Sequence, residues 1–154
     1  MSEDVQIYRM DHPSMLEIPQ VAQLFEEAFA KTEYVDLGQL VKWIMENAAS
    51  PEVAIMLARH GETLSGLAIC TAFINAWSPT PWVLYIYAPK DKPVRIALAA
   101  EIRRWMRSLG YETIRAVNRS GIDDGVYRLL FEPVGKGEVL GSLVEFTAQP
   151  EESE

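Results

Sequence analysis

The spacing of apolar residues divides the first third of the chain into a strand followed by two helices. Apolar and polar side chains alternate over residues 5–10, which predicts a strand that ends in the turn-forming run 11–14. Helical spacing follows over residues 18–30, and Asp36 is of the type that caps a second helix, ending before Ser50. The buried stripes predicted for these helices are Val21, Leu24, Phe25, Ala28 and Phe29 in the first and Leu37, Leu40, Val41, Ile44 and Met45 in the second.

The middle of the chain predicts a hairpin and a further strand. Apolar runs at residues 53–59 and 64–75 are separated by the turn 60–63, which contains a glycine, so the two runs are expected to pair antiparallel. The nearly unbroken apolar run 82–88 is typical of a central strand that is buried on both faces.

Residues 93–109 have the spacing of a third helix. Pro93 suits its first turn, where the missing N–H is no loss, and Gly110 suits its C-terminal cap. The apolar positions predicted to face the core are Ile96, Ala99, Ile102, Trp105 or Met106, and Leu109.

The remaining pattern completes a mixed sheet of about six strands flanked by helices. It predicts a short strand at 113–118, a short helix within 123–131 and a last strand at 139–147, in the order β-α-α-β-β-β-α-β-α-β. We therefore expect an α/β (α+β) fold in a single domain, residues 1–149, with a frayed acidic tail at 150–154.

Composition narrows the class of protein. The chain has 154 residues, 14 Lys and Arg, 22 Asp and Glu, and a net charge of −8, which disfavours general binding to nucleic acid and to anionic membranes.

One cysteine, Cys70, rules out an internal disulfide framework, and its apolar neighbours predict an inert thiol. Two distant histidines give no zinc spacing, so no metal site is predicted. The acidic N-terminal residues do not form a signal peptide and no apolar run is long enough to span a membrane, so the expected location is cytoplasmic.

The element order, together with the segment YIYAPKDKPVRIALAAEIRRWMRSLGYETIRAVN, resembles the GNAT superfamily of acyl-CoA-dependent N-acetyltransferases. That family has a motif Arg/Gln-x-x-Gly-x-Gly/Ala, whose backbone amides hold the pyrophosphate of coenzyme A at a helix N-terminus. The motif falls here on residues 92–97: Lys92 occupies the Arg/Gln position, Arg95 the first glycine and Ala97 the second small residue. The resemblance thus implies an acetyl-CoA site that includes Lys92, Val94, Arg95, Ile96 and Ala97.

Three residues depart from this pattern. Arg95 places a long side chain where glycine lets the backbone approach phosphate, Pro93 removes one amide donor, and Asp91 adds negative charge nearby. Either Lys92 and Arg95 bind the phosphates through their side chains, or the cofactor site has been lost.

The resemblance also implies which residues take part in acetyl transfer. The backbone near Ile86 and Tyr87 would polarise the thioester carbonyl, and Asn118 would complete the cofactor site. Tyr127 would protonate the departing thiolate, although a half-buried tyrosine that only packs a short helix explains it equally well. No general base is assigned: the acids near the end of the first helix, Glu26, Glu27 and Glu33, fit a solvated face.

Two functions of different class follow. The first is an N-acetyltransferase acting on a small-molecule or peptide amine, and the second is an inactive GNAT-like binding or assembly module; a homodimer is compatible with both. A third interpretation, local nucleic-acid contact, rests on clustered basic residues that also fit an exposed helix face. These residues are Lys90, Lys92, Arg95, Arg103, Arg104 and Arg107.

Overall fold

A computed structural model describes residues 4–30, 36–72, 81–88 and 91–112, and the backbone of residues 115–116. The helices are α1 (Pro19–Phe29), α2 (Leu37–Asn47) and α3 (Lys92–Ser108), and a short 3-10 helix covers Pro13–Glu17. The strands are β1 (Val5–Arg9), β2 (Val53–His60), β3 (Thr63–Thr71), β4 (Trp82–Tyr87) and β5 (Arg115–Ala116).

The described strands form one mixed sheet in the spatial order β1-β2-β3-β4-β5. The first four are antiparallel neighbours, and β5 runs parallel to β4 after the crossover through α3. The predicted α/β class and the predicted order of strands and long helices are confirmed as far as β5. The predicted helix within 123–131 and the predicted strand at 139–147 lie outside the described residues.

The turn between β2 and β3 is tighter than predicted. His60 pairs with Thr63, so only Gly61 and Glu62 form the loop instead of four residues. Gly61 has φ 65°, which glycine adopts without strain and which suits a two-residue hairpin turn.

Helices cover the two faces of the sheet differently. Because successive side chains of a strand point to opposite faces, β2 and β3 sort their residues between two buried clusters. Against α1 and α2 these strands place Ile55, Leu57, Leu67 and Ile69. Against α3 they place Ala54, Met56, Ala58, Ala68 and Cys70.

The helical stripes are confirmed for α1 and corrected for α2 and α3. All five predicted residues of α1 are buried. In α2 the prediction of Met45 is wrong: its side chain is 62% exposed, and the partly buried Trp43 packs on the core. In α3 the prediction of Ile96 is wrong as well, because the helix turns Val94 and Leu98 toward the sheet and leaves Ile96 41% exposed.

Two glycines fix the position of α3. A Cβ at Gly66 of β3 would lie 2.6 Å from Val94 Cγ1, so the bare backbone there lets the first turn of α3 approach the sheet closely. At the other end Gly110 has φ 87°, and the N–H groups of Gly110 and Tyr111 donate to the carbonyls of Arg107 and Met106. This is a Schellman cap, which confirms the predicted end of the helix.

Candidate active site

Strand β4 is irregular near its middle. Ile69 of β3 pairs with Tyr85 and the next residue, Cys70, pairs with Val83, so Leu84 is an extra residue in a β-bulge. Leu84 and Tyr85 consequently pack on the same face of the sheet, against the core beneath α1 and α2. A bulge leaves backbone groups outside the regular ladder, where they can meet a ligand.

Strand β4 lies between β3 and β5. In the described part of the chain, two residue pairs join it to β5, Trp82 with Arg115 and Val83 with Ala116. The predicted central position of β4 is therefore confirmed. The predicted burial on both faces is wrong for every residue of the strand except Val83, since the other five stay partly exposed.

Four residues separate the end of β4 from the start of α3, and most amides in the first turn of α3 are hydrogen-bonded within the chain itself. Asp91 is the N-cap, and its Oδ1 accepts a hydrogen bond from the Val94 N–H at 3.1 Å. The Arg95 N–H donates to the Asp91 carbonyl at 3.0 Å, and Pro93 has no N–H to offer. Of the amides from residue 92 to residue 95, only that of Lys92 is left for an external anion.

The Asp91 carboxylate is also bound from the sheet. His60, the last residue of β2, donates from Nδ1 to Asp91 Oδ2 at 2.9 Å, and both side chains are partly buried, at 26% and 19% exposure. Partial burial by itself would raise the pKa of Asp91. The hydrogen bonds from His60 and from the Val94 amide, with the charges of His60 and Arg95, outweigh it and lower the pKa of Asp91 below its ordinary value.

Arg95 folds back over the junction between β4 and α3. Its Nε donates to the carbonyl of Ala88, the residue after β4, at 2.6 Å. This bond holds the side chain in place and leaves the two terminal nitrogens of the guanidinium to other partners. Lys92 is exposed one turn earlier. Two cationic side chains, Lys92 and Arg95, therefore lie in the first turn of α3, just after β4.

On the opposite face, the aromatic residues of β4 meet the end of α1. The Tyr85 hydroxyl donates to the carbonyl of Ala28, and its ring lies 4.4 Å from that of Phe29. Burial, the negative charge of Glu27 and the neighbouring Tyr85 together raise the pKa of Tyr87. The Glu27 carboxylate thus lies close enough to the end of β4 to act on it electrostatically.

A polar cleft of about 260 Å³ lies between α1 and the β2–β3 hairpin. Two carboxylates, Glu27 and Glu62, contribute to its wall. The full lining is Gln20, Gln23, Leu24, Glu27, Glu62, Thr63 and Leu64.

The prediction of an inert thiol at Cys70 is confirmed. Cys70 is fully buried, and burial raises its pKa well above the ordinary value.

The basic residues of α3 include a solvated face. Arg104 and Arg107 are exposed, and Arg104 pairs with Glu101 at 3.2 Å. The part of the chain that the structure describes contains no cluster of three metal-binding side chains, and none of its helices is both long and apolar enough to cross a bilayer.

The sequence and the fold were compared with those of known proteins. No family model and no curated protein matches the sequence. Solved structures do match in three dimensions. An aminoglycoside 6'-N-acetyltransferase from Acinetobacter baumannii aligns with a TM-score of 0.65 at 10% identity, over 96% of this chain and 100% of the other. A ribosomal-protein-alanine N-acetyltransferase from Brucella melitensis biovar Abortus 2308 aligns at 0.64 and 15% identity, over 94% and 100%. A GNAT-family protein from Desulfovibrio desulfuricans aligns at 0.60 and 22%, over 88% and 87%.

The chain has the GNAT fold. The resemblance read from the sequence is therefore confirmed for the fold.

Two groups of predicted site residues lie on either side of the junction between β4 and α3. Ile86 and Tyr87 end β4, and the motif residues 92–97 open α3 a few residues later. Within the motif, Lys92 is exposed and Ala97 is partly buried, whereas the Val94 side chain lies wholly in the core beneath α3. Tyr127 and Asn118 lie outside the described residues, so their roles stay predictions.

Sequence reasoning missed three features of this site. The bulge at Leu84 shifts the strand pattern by a single residue, which the apolar run 82–88 conceals. His60 was assigned only to a turn, and no local pattern links it to Asp91, 31 residues away. Glu27 is exposed on α1, as predicted, but its electrostatic effect on Tyr87 of β4 was not foreseen.

Proposed function

We propose that this chain is an acyl-CoA-dependent N-acetyltransferase that acts on an amine. The observation that supports it best is the combination of a bulged β4 and an α3 N-terminus just beyond the strand, with two cationic side chains, Lys92 and Arg95, in the first turn of that helix. A thioester donor with an anionic far end matches this charge.

The acyl end of the donor would lie against β4. The bulge at Leu84 interrupts the regular pairing of the strand, and backbone N–H groups near Ile86 and Tyr87 are proposed to donate to the thioester oxygen. Such donors stabilise the negative charge that develops on this oxygen when the amine attacks. In the reaction the amine first loses its extra proton to solvent water. Its nitrogen then bonds to the carbonyl carbon, the carbon–sulfur bond breaks, and the nitrogen gives a second proton to solvent water. In our proposal Tyr127 gives a proton to the departing thiolate.

The phosphate end would be held mainly by side chains. Backbone amides, which normally bind phosphate at a helix N-terminus, are mostly used internally at α3. Lys92 and Arg95 supply charge-assisted donors in their place, and the bond to Ala88 orients the Arg95 guanidinium. Asn118 is proposed as a further contact.

The amine would approach from the α1 face. An amine substrate is a cation at neutral pH, and a chain of net charge −8 attracts cations. The Glu27 carboxylate beside Tyr87 places negative charge near the proposed carbonyl site. Two of the structures compared above are named for transfer to amines, of an aminoglycoside and of a protein alanine. A cationic small molecule or a peptide amine is the substrate class we propose.

Calorimetric titration with acetyl-CoA and with free coenzyme A tests the proposal first. We expect a micromolar Kd for both ligands. Arg95→Ala should weaken binding by about ten- to a hundredfold, the usual effect of losing a charged hydrogen bond. Arg104→Ala removes an equal charge from the exposed side of the same helix and serves as the matched control.

Turnover separates catalysis from binding. With an amine substrate found by screening, Tyr127→Phe should lower kcat while leaving the affinity for acetyl-CoA unchanged. Tyr8→Phe, on the distant edge strand β1, is the control. Unchanged kcat in the Tyr127 variant would remove this residue from the mechanism. Absence of any acetyl-CoA binding would favour the alternative, a GNAT-like binding or assembly module.

A further inference from the structure

The N-terminus of α3 already holds an anion that belongs to the chain. Asp91 accepts from the Val94 amide and from His60, and the positive end of the helix dipole and Arg95 lie beside it. A donor diphosphate that used the amides of this turn would have to share them with this carboxylate. Two anions in one such site repel each other.

We propose that Asp91 is a specificity-determining residue that limits the contribution of the donor's diphosphate to binding. This inference rests on the proposed function, because it concerns the same donor site. Asp91 acts as a fixed internal anion. The diphosphate is bound by Lys92 and Arg95, while the nearby negative charge of Asp91 repels it. The acyl-pantetheine part of the donor, which is uncharged, does not feel this repulsion.

The surrounding contacts keep Asp91 in place. It bridges two elements, since one oxygen binds α3 and the other binds the end of β2. Val94, whose amide it caps, is fully buried and lies directly over Gly66. The carboxylate therefore cannot leave the helix N-terminus without losing both of its hydrogen bonds.

The charge of Asp91 should reduce the preference of the protein for coenzyme A over pantetheine. The ratio of the Kd for pantetheine to the Kd for coenzyme A measures how much the nucleotide and its phosphates add to binding. We expect a small ratio for this chain and a larger one once the charge of Asp91 is removed. A merely structural role of Asp91 would change both affinities together and leave the ratio constant.

Asp91→Asn is the test variant, because asparagine caps a helix about as well as aspartate but carries no charge. Calorimetry would give the Kd of coenzyme A, pantetheine and inorganic pyrophosphate for each protein. We expect Asp91→Asn to bind coenzyme A and pyrophosphate about five- to tenfold more tightly, with pantetheine changed less than about twofold. Asp36→Asn is the matched control, since Asp36 caps α2 through the same contact to Gln39 N–H at 3.1 Å.

The outcomes separate this inference from the proposed function. If the parent protein binds acetyl-CoA but Asp91→Asn binds coenzyme A no more tightly, the inference is wrong and the proposed function stands. If the parent does not bind acetyl-CoA but the variant gains affinity for pyrophosphate, the inference stands without support for the function. A gain shared by the Asp36 control, or by pantetheine, also overturns the inference. Thermal unfolding of each variant confirms that it is folded.

Discussion

The two faces of the sheet are packed by opposite means. Toward α1 and α2, the strands β2 and β3 present mainly large aliphatic side chains, which meet aromatic rings of α1 such as Phe25 and Phe29. Toward α3 they present alanines, a cysteine, one methionine and a glycine, and the helix comes close to the backbone.

The two kinds of packing differ in how precisely they fix the position of a helix on the sheet. A layer of large side chains fills volume and adapts through rotamers, whereas a close contact on a bare backbone fixes the position of a helix. The proposed donor site depends on where α3 begins, and α3 lies on the closely packed face. The α1 face carries a polar cleft and the partly exposed tyrosines of β4, as a surface for variable substrates would.

Loss of volume should be most harmful on the α1 face. Phe25 is 2% exposed, and its removal leaves a cavity among large neighbours. We expect Phe25→Ala to lower the free energy of unfolding by about 3–5 kcal/mol in urea denaturation. Met45→Ala, at a 62% exposed site of α2, is the control and should stay within about 0.5 kcal/mol. A loss below about 1 kcal/mol for Phe25→Ala would show that this face is loosely packed.

Gain of volume should be harmful on the α3 face. The added methyl group of Gly66→Ala meets Val94 Cγ1 at 2.6 Å, so the helix must move or the side chain must rotate. We expect a loss of about 1–3 kcal/mol in the same assay.

A double-mutant cycle assigns that loss to one contact. Val94→Ala removes the clashing atom, so the double variant should be more stable than the sum of the single effects predicts. Additive effects would mean that the loss does not come from the contact with Val94.

Much of this architecture could be predicted from local pattern. The α1 stripe, the Asp36 cap and the Gly110 cap depend on neighbours within one or two helical turns, and all three are confirmed. The hairpin and the central position of β4 follow from strand-length apolar runs and from chain connectivity.

The rest depends on contacts between distant segments. The pair of His60 and Asp91 joins residues whose local sequences carry no trace of each other. The choice of Val94 over Ile96 for the core depends on how α3 is rotated about its axis, and Gly66 of β3 leaves the room that Val94 occupies. Sequence reasoning noticed the charge of Asp91 and the departures from the GNAT motif, but not that Asp91 satisfies the amide of Val94.

The charge of Asp91 at the N-terminus of α3 should affect how the stability of the protein changes at low pH. The folded pKa of Asp91 lies below its ordinary value of 3.8, so its ionised form stabilises the fold. That stability is fully present above the unfolded pKa and is lost as the pH falls through the folded pKa. We expect the parent protein to lose its advantage over Asp91→Asn, about 1 kcal/mol or less, below about pH 4. Parallel profiles of Tm against pH for the two proteins would contradict this.

The smallest expected effect is on the α1 face, at the phenol of Tyr87. The charge of Glu27 disfavours the phenolate, and burial does so independently. Glu27→Gln should therefore lower the pKa of Tyr87 while leaving it above the ordinary value, because the burial persists. NMR titration of ring-labelled tyrosine, with Tyr87→Phe to assign the signal, measures this. Glu26→Gln, one residue away on the exposed side of α1, should leave the pKa of Tyr87 unchanged. An equal fall in both variants would mean that Tyr87 senses only the net charge of the chain, and Glu27 would then have no special relation to the end of β4.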